Sequence, residues 1–243
     1  MIPLRDINPT RRFPLITIAL IVTNAVIFLY EMSLTDRALY DLVTTAGVIP
    51  YQVSHSLGPA VARDMLTSMF LHGGWMHLLS NMLYLWIFGN NIEDTIGPVR
   101  FVIFYLVCGV LATLAQVLSS PDATVPTIGA SGAIAGVLGA YIVLFPHARV
   151  LSIVFFFYFI RFVEVPAVIV LGLWFVLQFF NSLAALNMPE VGGVAYFAHI
   201  GGFVAGVVLI YLFLLGRRPG PPRRRVVTRR RSPFQDEFPD LWE

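Results

Sequence analysis

Long apolar runs are the feature that most constrains the fold of this sequence of 243 residues. An α-helix rises about 1.5 Å per residue, so about 20 apolar residues cross the roughly 30 Å hydrocarbon core of a membrane. Only 12% of the residues are charged, about half the share found in soluble domains, which excludes a water-soluble enzyme. The pattern predicts an all-α polytopic membrane protein with six transmembrane helices. The predicted spans are residues 14–33, 76–92, 99–119, 126–144, 165–185 and 194–216.

One further apolar segment, residues 150–160, lies between the fourth and fifth predicted spans. Its sequence, VLSIVFFFYFI, is too short to cross a membrane. Arg161, Glu164 and Pro166 separate it from the fifth span. We therefore expect this segment to be interfacial or partly re-entrant.

The distribution of arginine predicts the orientation of the chain. All sixteen basic residues are arginine, and six spans with a cytoplasmic N-terminus place only Arg37 and Arg63 outside. This asymmetry agrees with the positive charge typical of cytoplasmic loops. We expect a multi-pass protein of a bacterial inner membrane with both termini cytoplasmic. Its predicted parts are a cytoplasmic segment at 1–13, a membrane domain at 14–216 with an external cap loop at 34–75, and a disordered Arg-rich cytoplasmic tail at 217–243.

Four polar side chains have similar predicted depths on three different spans. Ser131 lies about five residues inside the fourth span, and His199 is equally deep in the sixth. His77 and Asn81 lie at the outer end of the second span, four residues apart and hence on one helix face. Polar groups are costly in hydrocarbon, so their shared depth near the outer face indicates a functional site.

Small residues at four-residue spacing predict a close contact between the fourth and sixth spans. Such residues let helix backbones approach each other in lipid, which would bring His199 beside Ser131. The small residues assigned to helix packing around the site are Gly129, Gly132, Gly136, Gly202 and Gly206.

A serine hydroxyl beside a neutral imidazole is a nucleophile with its general base, so Ser131 and His199 are the predicted catalytic residues. His77 and Asn81 would donate hydrogen bonds to the oxyanion of such a reaction. Structural roles are the alternative: Ser131 as a small packing residue, His199 as a packing donor, and Asn81 as a partner of a neighbouring backbone group. His72, just before the second span, is also compatible with an interfacial position.

No carboxylate is predicted at the depth of Ser131 and His199, so we expect a Ser–His dyad. Five histidines and one cysteine, without an HExxH pattern, provide no adequate set of metal ligands. We therefore expect no metal, no cofactor and no nucleic-acid partner. Membrane lipid and transmembrane protein substrates are the expected contacts, and the oligomeric state is not predicted.

Three motifs lie in this order on separate predicted spans: MFLHGGWMHLLSNMLYLWIFG, GASGAIAGVLGAY and AHIGGFVAG. Together they resemble the rhomboid family of intramembrane serine proteases, over about residues 14–216. The resemblance implies that Ser131 of the GxSG motif is the nucleophile and that His199 is the base. It also implies that His77 and Asn81, as the HxxxN pair, line the oxyanion hole.

The same resemblance implies a six-helix bundle around a water-filled cavity. Members of this family cleave transmembrane substrates near their outer-leaflet ends and need no metal or cofactor. The fifth span and the external cap are then candidate gates. Gln178 and Asn181, near the outer end of the fifth span, would face that gate, with ordinary packing polarity as the alternative.

Two features depart from the pattern of some family members. Those members carry a tyrosine four residues after the serine that stacks on the histidine, whereas this chain has Ala135. Tyr196 or Phe203 would then have to hold the histidine in place. Some members also carry a Trp–Arg pair in the external loop, where this chain reads VARDM, with Arg63 followed by Asp64.

Two other functions remain to be weighed against proteolysis. One is a non-catalytic rhomboid-like binder of membrane clients, but such relatives typically lose the serine or the histidine, and both are present here. The other is a small-molecule transporter or channel, which would require buried charges or broken helices in corresponding halves. The third, fourth and sixth spans have no charged residue in their interiors, so we predict an intramembrane serine endopeptidase.

Overall fold

The computed structural model describes residues 1–56, 58–156, 159–185 and 194–216, and most of them are helical. The predicted tail at 217–243 lies outside the described residues. The helices are α1 (Leu15–Ser33), α2 (Asp36–Ala46), α3 (Pro50–His55), α4 (Pro59–Thr67), α5 (Trp75–Tyr84), α6 (Asn90–Ile96), α7 (Pro98–Ser119), α8 (Ser131–Leu144), α9 (Ala167–Ala185) and α10 (Tyr196–Phe213). The strands are β1 (Ile2–Asp6), β2 (Arg149–Phe156) and β3 (Phe159–Pro166).

The predicted helical membrane fold is confirmed. Among the described residues, α1, α7, α9 and α10 are long and apolar enough to cross a membrane. The second predicted span consists of α5, a π-helical turn at Leu85–Gly89 and α6, which follow one another without a break. Helix α8 has only 14 residues, about 21 Å of helix, so the number of six complete spans stays a prediction.

Helices α8 and α10 begin later than predicted. The predicted start at residue 126 is wrong, because residues 120–130 approach the bundle as non-helical chain and α8 begins at Ser131 itself. Thr127 pairs with Val48 through two backbone hydrogen bonds of 2.7 and 3.0 Å, which holds the chain extended. Helix α10 likewise begins at Tyr196 rather than at residue 194. The depth of Ser131 therefore depends on this inward-running loop.

Helix α8 forms the centre of the bundle, since all its residues from Gly132 to Tyr141 are buried. It packs against α7 and α10 with almost no side chain between the backbones. A Cβ atom added at Gly206 of α10 would overlap the backbone of Gly136 on α8. One added at Gly136 would overlap the side chain of Cys108 on α7. Glycine at these positions is thus required by the close approach of three helices.

The region predicted as an external cap loop, 34–75, folds into α2, α3, α4 and a 3₁₀ turn at Ser68–Phe70. Val48, Val53 and Met65 of this region form a small apolar cluster with Val117 of α7. This cluster fastens the cap to one end of the bundle. Its position on the outer side of a membrane stays a prediction.

A three-stranded antiparallel sheet, in the order β1–β2–β3, adds to the predicted helical fold. It contains the described residues of the apolar segment 150–160, whose β-branched and aromatic residues favour strands. Phe155, Phe159, Ile160 and Phe162 of these strands are all exposed, and the interfacial or re-entrant position of the segment stays a prediction.

Two acidic residues tie the N-terminal segment to the end of the bundle opposite the cap. Asp6 of β1 accepts hydrogen bonds from Tyr141 of α8 at 2.8 Å and from Asn91 of α6 at 2.6 Å. Burial raises the pKa of Asp6 to about 6. Glu93 accepts hydrogen bonds from the backbone N–H groups of Ile16 and Thr17, at 2.9 and 2.8 Å, and so satisfies the first turn of α1.

Candidate active site

Ser131 and His199 are in direct contact at the junction of α8 and α10. Ser131 is the first residue of α8, and His199 lies in the first turn of α10. The Oγ atom of Ser131 is 2.7 Å from the Nε2 atom of His199, so the hydroxyl can donate its proton to the ring. The imidazole is buried, with 7% of its surface exposed. The two residues are thus brought together as a nucleophile and a base would be.

Glycine residues next to the pair make this contact possible. A Cβ atom at Gly202 of α10 would overlap the carbonyl group of Gly132 on α8. A Cβ atom at Gly132 would lie 2.7 Å from Ala112 of α7. Larger residues would push α8 and α10 apart and lengthen the Ser131–His199 hydrogen bond.

His77 lies beside Ser131, in the first turn of α5. The backbone N–H of Gly73 donates to its Nδ1 atom at 3.4 Å, so a neutral His77 ring carries its proton on Nε2. A Cβ atom at Gly129 would be 2.7 Å from that Nε2 atom and 3.8 Å from the Ser131 Oγ. The bare backbone of Gly129 therefore lets a ring N–H donor approach the serine.

Asn81 lies one turn after His77 and is also buried, with 6% exposure. Its Nδ2 atom has no hydrogen-bond partner among the described residues. The backbone contact that we considered as an alternative role is thus not formed by this donor. A buried donor without a partner lowers the free energy of unfolding. Such a donor is typical of a group that binds a ligand.

A cavity of about 1110 Å³ joins these residues, and Ser131, His199, His77 and Asn81 all line it. Its other walls include Met76, Trp174 and Phe197, so the lining combines apolar and polar surface. The volume exceeds that of a typical small-molecule pocket and is large enough for several residues of a peptide.

Three hydrogen-bond donors can serve a negative charge that develops beside Ser131. They are the His77 Nε2–H, the Asn81 Nδ2–H and the backbone N–H of Ser131, which has no partner within α8 because it is at the helix start. Helices α5, α8 and α10 all direct their N-terminal ends toward the cavity, and their dipoles favour negative charge there. The arrangement suits a reaction that passes through an oxyanion.

Helix α9 supplies contacts to His199 that sequence reasoning missed. The Oε1 atom of Gln178 is 2.8 Å from the His199 Nδ1 atom. The ring centroid of Trp174 is 5.8 Å from that of His199. Tyr196 of α10, which the sequence predicts as a residue that holds the histidine, makes an edge contact with His199 at 6.4 Å. Phe203, the other aromatic residue predicted to hold the histidine, packs on Trp174 instead, at 6.2 Å.

The remaining residues singled out in the sequence have other surroundings. Asn181 lines the cavity. Both carboxylate oxygens of Glu31 accept the backbone N–H of His72 at 3.2 Å, which ties the loop before α5 to α1. Burial lowers the pKa of His72 to about 4. Arg63 pairs with Asp64 at 2.8 Å on the exposed surface of the cap.

No group of three or more candidate metal ligands occurs within the part of the chain that the structure describes. The helices, the Ser131–His199 contact and the shared cavity define a class: a helical multi-pass membrane protein with a serine–histidine pair in a cavity among its helices.

Comparison with known proteins identifies the family. The Rhomboid domain model matches residues 60–216. Rhomboid protein 1, mitochondrial, from Saccharomyces cerevisiae is 34% identical over 152 residues, which are 60% of this chain and 40% of the yeast protein. Rhomboid protease GluP from Bacillus subtilis is 33% identical over 144 residues, which are 58% of this chain and 24% of GluP.

Presenilin-associated rhomboid-like protein, mitochondrial, from Mus musculus is 28% identical over 198 residues, which are 77% of this chain and 46% of the mouse protein. The chain thus spans between about a quarter and about half of the length of these relatives. This chain belongs to the rhomboid family.

The close approach of His77 generates a first prediction, at Gly129. Its φ of +124° is essentially restricted to glycine, and a Cβ would collide with the His77 ring. We expect Gly129→Ala to lower the free energy of unfolding by about 1–3 kcal/mol, measured by denaturant titration in detergent. Gly172→Ala in α9, where an added Cβ meets open space, is the matched control and should not destabilise. Equal stability of the two variants would contradict the described geometry.

Proposed function

We propose that this protein is an intramembrane serine endopeptidase that cleaves transmembrane protein substrates near the outer-leaflet side of the membrane through a Ser–His dyad. The observation that carries the proposal is the 2.7 Å contact between Ser131 Oγ and His199 Nε2 in a cavity that also holds an unpaired buried donor on Asn81. A packing serine would need neither a basic partner nor a set of donors around it.

In the first half of the reaction, the Ser131 hydroxyl gives its proton to His199 Nε2 while Oγ attacks the carbonyl carbon of the scissile peptide bond. The carbonyl oxygen becomes an oxyanion. His77, Asn81 and the Ser131 backbone N–H would donate to it, in a buried site where such hydrogen bonds are strong. The protonated His199 then gives its proton to the leaving amine, the C–N bond breaks, and an ester to Ser131 remains.

In the second half, a water molecule takes the place of the amine. His199 removes one of its protons, the resulting hydroxide attacks the ester carbonyl, and the same donors bind the second oxyanion. The ester bond breaks as His199 returns its proton to Ser131 Oγ. The products are a carboxylic acid and the free enzyme, and the protein's own residues carry every proton transfer.

Family membership supports this proposal, because a relative found in Bacillus subtilis is named a rhomboid protease. A membrane-embedded cavity favours substrates that are themselves in the membrane. The matched relatives include mitochondrial proteins as well as the one from Bacillus subtilis. The cytoplasmic placement of both termini rests on the arginine distribution, and the matched relatives do not favour a bacterial inner membrane over a mitochondrial one.

The central prediction concerns the dyad. Ser131→Ala and His199→Ala should each abolish cleavage of a fluorogenic transmembrane substrate by the purified protein in liposomes, since each removes the nucleophile or its base. Their thermal unfolding should remain close to that of the wild type. Val208→Ala, on the exposed face of α10, serves as a control that should keep full activity.

Two outcomes would contradict the dyad. One is full activity in Ser131→Ala. The other is an inactive wild type that captures intact transmembrane clients, which would favour the non-catalytic binder. Solute flux through reconstituted vesicles in place of cleavage would favour a transporter.

A second prediction concerns the oxyanion donors. His77→Ala and Asn81→Ala should each lower kcat by about 100-fold to 1000-fold, because each removes a donor to the charge that forms only in the transition state. KM should change little. Leu79→Ala, on the exposed side of the same helix, is the control. A rise in KM with unchanged kcat would assign these residues to substrate binding instead.

A further inference from the structure

The side of His199 that faces away from Ser131 is occupied by a neutral amide. Gln178 Oε1 lies 2.8 Å from His199 Nδ1, and Ser131 Oγ lies 2.7 Å from Nε2. Both ring nitrogens of a buried imidazole are therefore paired, each with a side chain from a different helix. Gln178 belongs to α9, which otherwise presents many large apolar side chains to its surroundings, Leu173, Val176, Leu177, Phe179 and Phe180 among them.

The Gln178 contact selects one form of the neutral ring. A neutral imidazole carries one proton, on either Nδ1 or Nε2. An amide oxygen next to Nδ1 accepts a hydrogen bond and so favours the proton there. The lone pair of Nε2 then faces the serine hydroxyl, which is the form that a general base requires. With the proton on Nε2, the ring could not accept the proton of Ser131.

The absence of charge on Gln178 suits its place inside a membrane protein. A carboxylate at this depth would have to be desolvated, at a cost that an amide avoids. The amide dipole still favours the positive charge that His199 acquires during the reaction. Because the sequence places no carboxylate at this depth, the sequence predicts a dyad without a third member.

Trp174 acts on the same ring from one helical turn away. Its ring lies 5.8 Å from the imidazole at an interplanar angle of 36°, and Phe203 packs on Trp174 at 6.2 Å. An aromatic plane at this distance limits rotation of the imidazole about its χ2 bond. Some family members restrain the histidine with a tyrosine at the position of Ala135 on α8. Here Trp174 provides the aromatic contact from α9 instead.

We propose that Gln178 is a positioning residue that holds His199 in the tautomer with its proton on Nδ1, and that Trp174 restrains the ring from the same helix. The inference rests on the proposed proteolytic function. It extends the dyad to a neutral Ser–His–Gln arrangement in which the orienting group lies on α9. The orientation of the His199 ring thus depends on how α9 packs against α10.

The test begins with variants of similar size at Gln178. Gln178→Met keeps the length of the side chain but removes the acceptor, and should lower kcat about tenfold to a hundredfold with little change in KM. Gln178→Glu restores an acceptor. It should recover activity on the alkaline side and move the acidic limb of the pH–rate profile to higher pH, because a carboxylate favours the protonated ring. Leu177→Met, on the exposed face of α9, should match the wild type in both measurements.

A second readout does not depend on activity. In ¹⁵N-histidine NMR spectra of the full chain in detergent, the His199 signals, assigned by comparison with His199→Ala, should report a proton on Nδ1 in the wild type. In Gln178→Met they should report a mixture of tautomers. Unchanged tautomer signals together with wild-type kcat in Gln178→Met would overturn the inference.

These results separate the two proposals. A wild type that cleaves its substrate, with Ser131→Ala inactive, keeps the protease assignment whatever the Gln178 variants do. A wild type without activity would defeat the proteolytic function, while the NMR spectra would still report whether Gln178 sets the tautomer.

Discussion

The contact between the backbones of α8 and α10 is the interaction on which the rest of the structure depends. Gly132 and Gly136 of α8 face Gly202 and Gly206 of α10 so closely that an added Cβ at either residue of α10 would overlap backbone atoms. Lipid provides no hydrophobic force between helices, so this close packing must itself supply their attraction. It also sets the relative height of Ser131 and His199, because each lies within a turn of the first contacting glycine.

The candidate site lies at the N-terminal ends of helices rather than along their middle turns. Ser131, His77 and His199 lie in the first turns of three helices, whose unpaired N–H groups and dipoles point into one cavity. A non-helical segment must run into the bundle to begin α8 at such a place. The Val48–Thr127 pairing and the positive φ of Gly129 give that segment its path. The proposed oxyanion donors are thus oriented before any substrate binds, which is the form of stabilisation that lowers a barrier most.

Much of this arrangement could be predicted from the sequence, since hydropathy locates the spans and the spacing of small residues indicates which of them touch. Where the helices begin could not be predicted, because an apolar loop and an apolar helix have similar hydropathy. Residues 126–130 therefore fit a span by hydropathy although they precede the helix. Strand β2 could not be predicted for a similar reason, because a short apolar run is compatible with a strand, a helix or an interfacial segment. The contact of Gln178 with His199 depends on how α9 is rotated against α10, which no local pattern encodes. No local pattern indicates that the carboxylate of Glu93 satisfies the first turn of α1 either, because Glu93 and the residues it contacts there are 76 or more positions apart in the sequence.

The central claim is that His199 activates Ser131 among all the serines of the chain. The most direct measurement is covalent labelling of the folded protein in detergent by a fluorophosphonate, which reacts with an activated serine and releases fluoride, followed by mass spectrometry of the peptides. The account predicts a single labelled site at Ser131 in the wild type and its loss in His199→Ala. Labelling spread over other serines, or labelling of Ser131 that persists in His199→Ala, would contradict it.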